Sequence, residues 1–362
     1  MILSNYAIQD TLILPPVYEG YSPCNTSIVN YNGETVYQTR YVSYVKHFTN
    51  KMYNPHGFYS NQHNYDSCGK EYHNTINIRY TDRWYEEVYY GEGLSTLFRG
   101  MEDVRLTVWD GDLYSYGTRP DLFYDRYVMC LYKGGERLII DSPLGCKVEK
   151  NWMALPDVPY RFIYGFCDDC VMVVDVSGNN GSSKLQYIKQ KNNKETLTGV
   201  RGSTPLVKYG DGYLTVVHKT FVIGGNHYYR HAFIHFDKNL IIQQFSPWFF
   251  FHNPLCEFCI GLLVIEGGVK LTYSQFDAFP SEMVISDDVL RNVLQKAYVR
   301  GFDNIGIEYF ERVSDILYNS GHIKSSQTVA NYVLLNKYNS KMLLRYDNDA
   351  SINKLLKRKY VL

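Results

Sequence analysis

Apolar and polar positions alternate along most of this chain in short runs broken by Gly, Asn and Asp, the period-2 pattern of half-buried strands. Four segments share one layout: a polar or acidic start, an extended run, a tight turn and a second, aromatic-rich run. They begin at Glu102-Asp103-Val104-Arg105 with a turn at Asp110-Gly111, at Glu149-Lys150-Asn151-Trp152 with a turn at Pro156-Asp157, at Ser203-Thr204-Pro205 with a turn at Asp211-Gly212, and at Glu257-Phe258-Cys259 with a turn at Gly267-Gly268. The starts lie 47, 54 and 54 residues apart. A looser fifth copy runs from Asn25 through Asn32-Gly33 to Tyr44. Asp-Gly, Asn-Gly and Gly-Gly between apolar runs are strong hairpin signals. A unit of about 50 residues with two hairpins is a four-stranded propeller blade. Five such units predict an all-β chain, a five-bladed β-propeller over residues 25–285. The competing reading, an irregular sandwich of hairpins, does not require so regular a spacing.

Two segments interrupt the repeat. Residues 47–73 are rich in Asn, His, Tyr and Gly and read as a long loop inserted in the first blade. The polar, Lys- and Asn-rich stretch 179–202 reads as an exposed hairpin or linker. After Ser286 the periodicity becomes helical. Asp287-Asp288 supplies an acidic first turn ahead of Val289, Leu290, Val293, Leu294 and Ala297, and helical spacing returns in 307–317 and 329–344. The organisation expected is an N-terminal extension (1–24), the propeller (25–285) and a small C-terminal helical appendage (286–362) that ends on a basic run.

Composition sharpens this reading. The chain has 35 Tyr and 18 Phe but only 7 Ala, which favours strands over helices. This bias, with many Asn and Lys, is also what an AT-rich or viral coding sequence produces. Lys+Arg and Asp+Glu balance at 37 each, so no global field holds nucleic acid or an anionic membrane. The longest apolar-plus-Gly run, residues 258–265, is far short of the ~20 residues of a membrane span. Without a basic n-region the N-terminus does not read as a secretory signal, so a cytoplasmic location with reduced thiols is expected. Two Cys-x-x-Cys pairs, Cys167/Cys170 and Cys256/Cys259, spell half a zinc site each. They lie too far apart for ribbon spacing, and Cys256 begins a strand-like run, in which positions i and i+3 face opposite ways. They read as packed or surface thiols, with no metal site and no cofactor.

In a propeller the inner strand of each blade starts at the wide mouth of the channel and the second strand returns there. The starts bring Asn25, Glu102, Asp103, Arg105, Glu149, Lys150, Asn151, Thr204 and Glu257 to one place; the returning ends add Arg40, His218, Lys219, Gln275 and Asp277. Carboxylates, amides, cations and Tyr rings around one funnel suit a polyhydroxylated ligand, and one carboxylate there can act as acid or base. The plainer reading of Glu102 and Asp103 is an ion pair with Arg105.

These residues also carry a resemblance. Gly100-Met101-Glu102-Asp103-Val104-Arg105-Leu106, followed by Asp110-Gly111-Asp112, resembles the Gly-x-Glu-Asp-x-Arg motif of the glycoside hydrolase family 130 clan. Glu149-Lys150-Asn151-Trp152, Gly202-Ser203-Thr204-Pro205, Val217-His218-Lys219 and Glu257 with Gly261 follow in order, one set per blade. The set looks most like the branch associated with glycosyltransferases, including inverting mannosyltransferase relatives. The resemblance implies that Asp103 is the catalytic acid or base and that Arg40, Glu102, Arg105, Glu149, Lys150, Asn151, Thr204, His218, Lys219, Glu257 and Asp277 bind substrate. Where phosphorylases of the clan carry a His-Arg pair, this chain has Tyr164-Gly165, which weighs against phosphorolysis. The implied activity is inverting glycosyl transfer from a nucleotide sugar to a glycan acceptor. The alternatives are a glycosidase or phosphorylase of the family 130 kind, and a non-catalytic glycan-binding propeller.

Overall fold

The computed structural model describes residues 1, 3–18, 21–42, 75–88, 100–121, 126–190, 197–223, 226–252, 256–275, 277 and 279–295, together with short backbone segments at 45–46, 52–53, 64–65 and 71–72 and single positions 315, 319 and 321. It is a five-bladed β-propeller. Blade one contains Ser22–Tyr31, Glu34–Val42, Thr75–Tyr80 and Tyr85–Glu87; blade two Glu102–Trp109, Asp112–Asp121, Arg126–Lys133 and Glu136–Ile140; blade three Met153–Ala154, Arg161–Cys167, Cys170–Val176 and Ser183–Lys189. In blade four the inner position is shared by Arg201–Gly202 and Val207–Tyr209, both paired with Gly212–Ile223, followed by Asn226–Phe236 and Ile242–Phe245. Blade five contains Glu257–Ile265, Gly268–Gln275 and Phe279–Ser286, and its outermost strand is Gln9–Leu12 from the N-terminal segment, antiparallel to Phe279–Ser286. Among the described residues no helix is long and apolar enough to cross a membrane.

The tight turns follow local chemistry. At Asn32-Gly33 and Asp110-Gly111 both residues have positive φ (52° and 80°, 52° and 82°), the backbone that two-residue hairpins need and that Asn, Asp and Gly tolerate. In blades four and five the turn falls one residue earlier than expected, at Gly210-Asp211 and Glu266-Gly267. The glycine that the expectation put in each turn is instead a strand residue at a close backbone approach. A Cβ at Gly212 would run into the carbonyl oxygen of Phe236, and one at Gly268 into that of Ile285. These two glycines therefore sit in strands, where a neighbouring backbone passes close. In blade three the expected turn at Pro156-Asp157 is a longer connection, residues 155–160. The stretch read as a linker, 179–202, contains Ser183–Lys189, the outer strand of blade three. An outer strand packs on one side only, so its polar character is compatible with pairing.

The core lies between blades. Trp109, Tyr116, Trp152 and Phe162 fill the gap between blades two and three; Ile163, Val173, Val217 and Phe236 that between three and four; Phe233, Phe249, Phe251, Leu271 and Ile285 that between four and five. Helix Asp287–Leu294 is capped by Ser286, whose hydroxyl accepts from Val289 N. It sets Leu290, Val293 and Leu294 into the last of these gaps beside Leu3. The rest of the C-terminal region and most of 47–73 lie outside the described residues.

Polar groups stitch the same gaps. Leu106 N donates to Ser27 Oγ at 2.9 Å between blades one and two, Trp109 Nε1 to Leu155 O at 2.6 Å between two and three, and Cys259 N to His231 Nε2 at 3.4 Å between four and five. His231 is fully buried, and burial pulls its pKa down to about 3. Its neighbour His218 is also held well below its ordinary value, first by burial and then by the charges of nearby basic groups.

Three outcomes follow. Gly212→Ala should lower stability by about 1–3 kcal/mol or more, read by urea unfolding. Gly210→Asn, at a left-handed turn position with open space around it, should stay within about 0.5 kcal/mol of the native chain. For pH, the unfolded chain protonates His231 below its ordinary value of 6.5, whereas the folded chain resists until about 3. Its stabilising share is therefore complete above about pH 6.5 and is lost as pH falls toward 3, with a slope up to about 1.4 kcal/mol per pH unit for each such histidine. His231→Phe should flatten that slope; an unchanged slope counts against a buried neutral histidine.

Candidate functional site

The inner strands do not enter the mouth as regular strands. Register shifts occur between Pro23 and Thr26, between Glu102 and Arg105, and between Cys259 and Gly261. In blade four Ser203 N and Thr204 N both donate to Val216 O at 3.2 Å, another bulge. Bulges re-aim side chains; Asp103, within the blade-two bulge, takes a φ of 49°, and Asn151 and Asp277, outside the regular strands, take 65° and 51°. Asp and Asn are the non-glycine residues that best tolerate this conformation.

The bulge corrects one expectation. Regular alternation would turn Glu102 and Asp103 to opposite faces. Instead both carboxylates reach one guanidinium: Arg40 lies 3.6 Å from Glu102 Oε1 and 3.6 Å from Asp103 Oδ1. Asn25 Nδ2 donates to the same Asp103 Oδ1 at 3.0 Å, and Ser274 Oγ donates in turn to Asn25 Oδ1. A relay from blade five through blade one thus fixes the Asp103 carboxylate of blade two. Asp103 Oδ2 carries no hydrogen bond among the described residues. The Asp103 side chain is 15% exposed and that of Glu102 28%. Cys24 is buried beside this cluster; burial pushes its thiol up to about 12, with Asp277 and Asp103 adding to the rise and Arg40 opposing it.

Arg105 does not pair with the side chains of Glu102 or Asp103. It is 1% exposed, and Nε donates to Ser203 O at 2.5 Å, Nη1 to Asp103 O at 2.7 Å and Nη2 to Asn151 Oδ1 at 3.3 Å. It ties blades two, three and four together. Several other expected site residues also lie within the walls. The buried Glu149 carboxylate accepts from Trp152 Nε1 at 3.1 Å, Tyr164 OH at 3.2 Å and Ser142 Oγ. Thr204 Oγ1 accepts from Val216 N at 3.0 Å. Glu257 accepts from Phe251 N at 2.7 Å and His252 N at 2.8 Å. His218 Nδ1 meets Ser203 Oγ at 2.8 Å.

The cations gather on the opposite side. Lys150 and Arg201 are exposed, and both lower the pKa of His218 through their charge, after the larger effect of burial. Lys219 Nζ sits 5.4 Å above the Trp248 ring, and its cross-strand partner Arg230 sits 4.8 Å from the same ring. The mouth therefore sets the Glu102 and Asp103 carboxylates of blade two on Arg40 of blade one, while further cations lie on blades three and four. Asn25 stood among the aligned starts but not among the expected binding residues. Ser274, Arg201 and Arg230 carried no sequence signal, because their strands bring them here only once the ring closes. Among the described residues no group of three or more His, Cys, Asp or Glu side chains is placed to hold a metal.

No family model matches the sequence, and no curated protein matches it. Solved structures similar to this chain include a β-1,2-mannobiose phosphorylase from Listeria innocua (12% identity, TM-score 0.46, covering 77% of this chain and 94% of that one). A mannose phosphorylase from Leishmania mexicana shows 11% identity and a TM-score of 0.47 over 83% of this chain and 93% of its own. A GDP-Man-dependent mannosyltransferase from the same organism shows 12% identity and a TM-score of 0.46 over 82% and 93%. The five blades stand on the strand pairings of this chain.

Proposed function

We propose that this chain is a carbohydrate-active enzyme, an inverting glycosyltransferase that moves a sugar from a nucleotide donor to a glycan hydroxyl, with Asp103 as general base. One observation carries the reading: among the described residues Asp103 Oδ2 carries no hydrogen bond, while Asn25 and Arg40 hold Oδ1 at 3.0 and 3.6 Å. A base needs one oxygen fixed and one free to take a proton. In this reading Asp103 Oδ2 accepts the acceptor hydroxyl proton as the new glycosidic bond forms and the sugar–phosphate bond breaks on the opposite face. In this reading the leaving nucleoside diphosphate carries its negative charge toward Lys150 and Lys219, two of the four Lys and Arg residues among the expected binding residues, and Arg201 joins them. In this reading Glu102, Asn151 and Asp277 hold sugar hydroxyls.

A phosphorylase is the second reading, favoured by the same cations. Against it, the blade-three position carries Tyr164, whose hydroxyl is committed to Glu149 at 3.2 Å, so that position supplies a phenol and not a cation. A panel of nucleotide sugars with glycan acceptors, scored for nucleoside diphosphate release, tests the proposal. Sugar phosphate formed from a glycoside and inorganic phosphate would favour the second reading.

Asp103→Asn keeps the hydrogen bonds but not the basicity. It should lower turnover by roughly 10²–10⁴-fold with little change in Tm. Glu102→Gln, at the more exposed end of the Arg40 bridge, should cost less than about tenfold. Near-full activity in Asp103→Asn would sink the general-base role and leave a binding propeller.

A further inference from the structure

The thiols of Cys167 and Cys170 have no part in the mouth chemistry. Their geometry is nonetheless specific. Arg161–Cys167 and Cys170–Val176 form a hairpin with only Asp168-Asp169 between them, and Cys167 and Cys170 are directly opposed in the register. Opposed residues of an antiparallel pair share one face of the sheet. The preceding pair, Phe166 and Val171, faces the core, so the two cysteines share the other face and are both half-exposed. An opposed pair has Cα atoms about 4.5–5.5 Å apart, inside the ~4.4–6.8 Å that a disulfide spans. The strand rule that sets i and i+3 apart fails here, because a two-residue turn lies between them. Cys256 and Cys259 differ: both are buried, Cys259 on the inner strand Glu257–Ile265 and Cys256 just before it.

We propose that Cys167 and Cys170 form a thiol–disulfide exchange site on the mouth-side rim of blade three, one that takes low-molecular-weight disulfides of the glutathione type and closes to an intrachain disulfide. The Cys167 thiolate attacks one sulfur of the small disulfide, forming a mixed disulfide and expelling one small thiolate. Cys170 then loses its proton to solvent and attacks the Cys167 sulfur, forming the Cys167–Cys170 bond and expelling the second thiolate. Two protein thiols are oxidised, one small disulfide is reduced to two thiols, and the protons pass to solvent and to the released thiolates. The order follows from contacts. Cys170 Sγ donates to the charged Asp169 Oδ1 at 3.3 Å, which holds its proton, whereas Cys167 Sγ donates to a neutral acceptor, the Cys170 carbonyl, at 3.6 Å and lies against the Cys170 thiol. The turn is anchored to the connection into blade four: Gln190 N donates to Asp169 O at 2.6 Å, and Thr198 Oγ1 to Asp168 Oδ1. The sulfurs are thus held in place and are not borne on a loose loop.

The test equilibrates the reduced full-length chain with mixtures of glutathione and glutathione disulfide, quenches with acid, alkylates, and maps peptides by mass. The peptide with both cysteines should lose two hydrogens and retain no glutathione. Cys170→Ser should instead trap one glutathione on Cys167. Because the register pre-aligns the sulfurs, the native disulfide should be about tenfold or more harder for glutathione to reduce than the same pair in urea. A persistent mixed disulfide in the unmutated chain, two thiols that stay alkylatable while Cys146 reacts, or equal native and denatured equilibria would each overturn the proposal.

Discussion

The mouth of this propeller depends on one buried cation. Arg105 leaves blade two, reaches the Asn151 amide of blade three and donates to the Ser203 carbonyl of blade four, while its third bond returns to the Asp103 carbonyl. Burial works against the charge and lowers the guanidinium pKa from its ordinary value. Carbonyl oxygens, the Asn151 amide oxygen and the nearby Asp103 charge offset that cost. Removing such a group strands three acceptors in a dry wall, whereas an apolar replacement could not set the angle between blades.

The same tie shapes the chemistry. Because Arg105 holds the Asp103 carbonyl, the backbone turns into the left-handed region there and the strand bulges. The carboxylate then swings to Arg40 and Asn25, beside Glu102 and not opposite it. Polar satisfaction separates the mouth residues into two kinds. Glu149, Glu257, His218 and Thr204 spend hydrogen bonds inside the walls, and Asp103 Oδ2 meets no donor among the described residues. A buried carboxylate with three donors shapes a site; one with a free lone pair at its edge can exchange a proton.

Ring closure has a second fastening on the far side. The N-terminal strand supplies the fourth strand of blade five, and its Asp10 carboxylate meets His252 Nε2 at 3.0 Å and Tyr273 OH at 2.8 Å. Tyr273 stacks on Phe251 with ring centroids 4.2 Å apart. The first and last strands of the propeller thus share one blade, so an opening of the ring must break strand pairing and not only side-chain contacts.

What the sequence determined alone was the part that local chemistry enforces. Paired hairpins at a near-constant interval set the number of blades, Asn32-Gly33 and Asp110-Gly111 set turns that need positive φ, and Ser286 with Asp287 and Asp288 marked a helix start. The polar starts of the inner strands placed Asp103 at the mouth for the same reason, since strand order follows from hairpin connectivity. The tertiary structure decided which of those polar residues are walls and which are open. Asn25 and Asp103 are 78 residues apart, and Ser274 and Asn25 are 249 apart. It also decided that residues 9–12 belong to blade five, that Gly212 and Gly268 sit within strands, and that a bulge overrides alternation at Glu102 and Asp103. Each outcome depends on which backbone or side chain arrives from a distant blade, and a hydrogen bond acts only over the last few ångströms, so no local pattern can encode it.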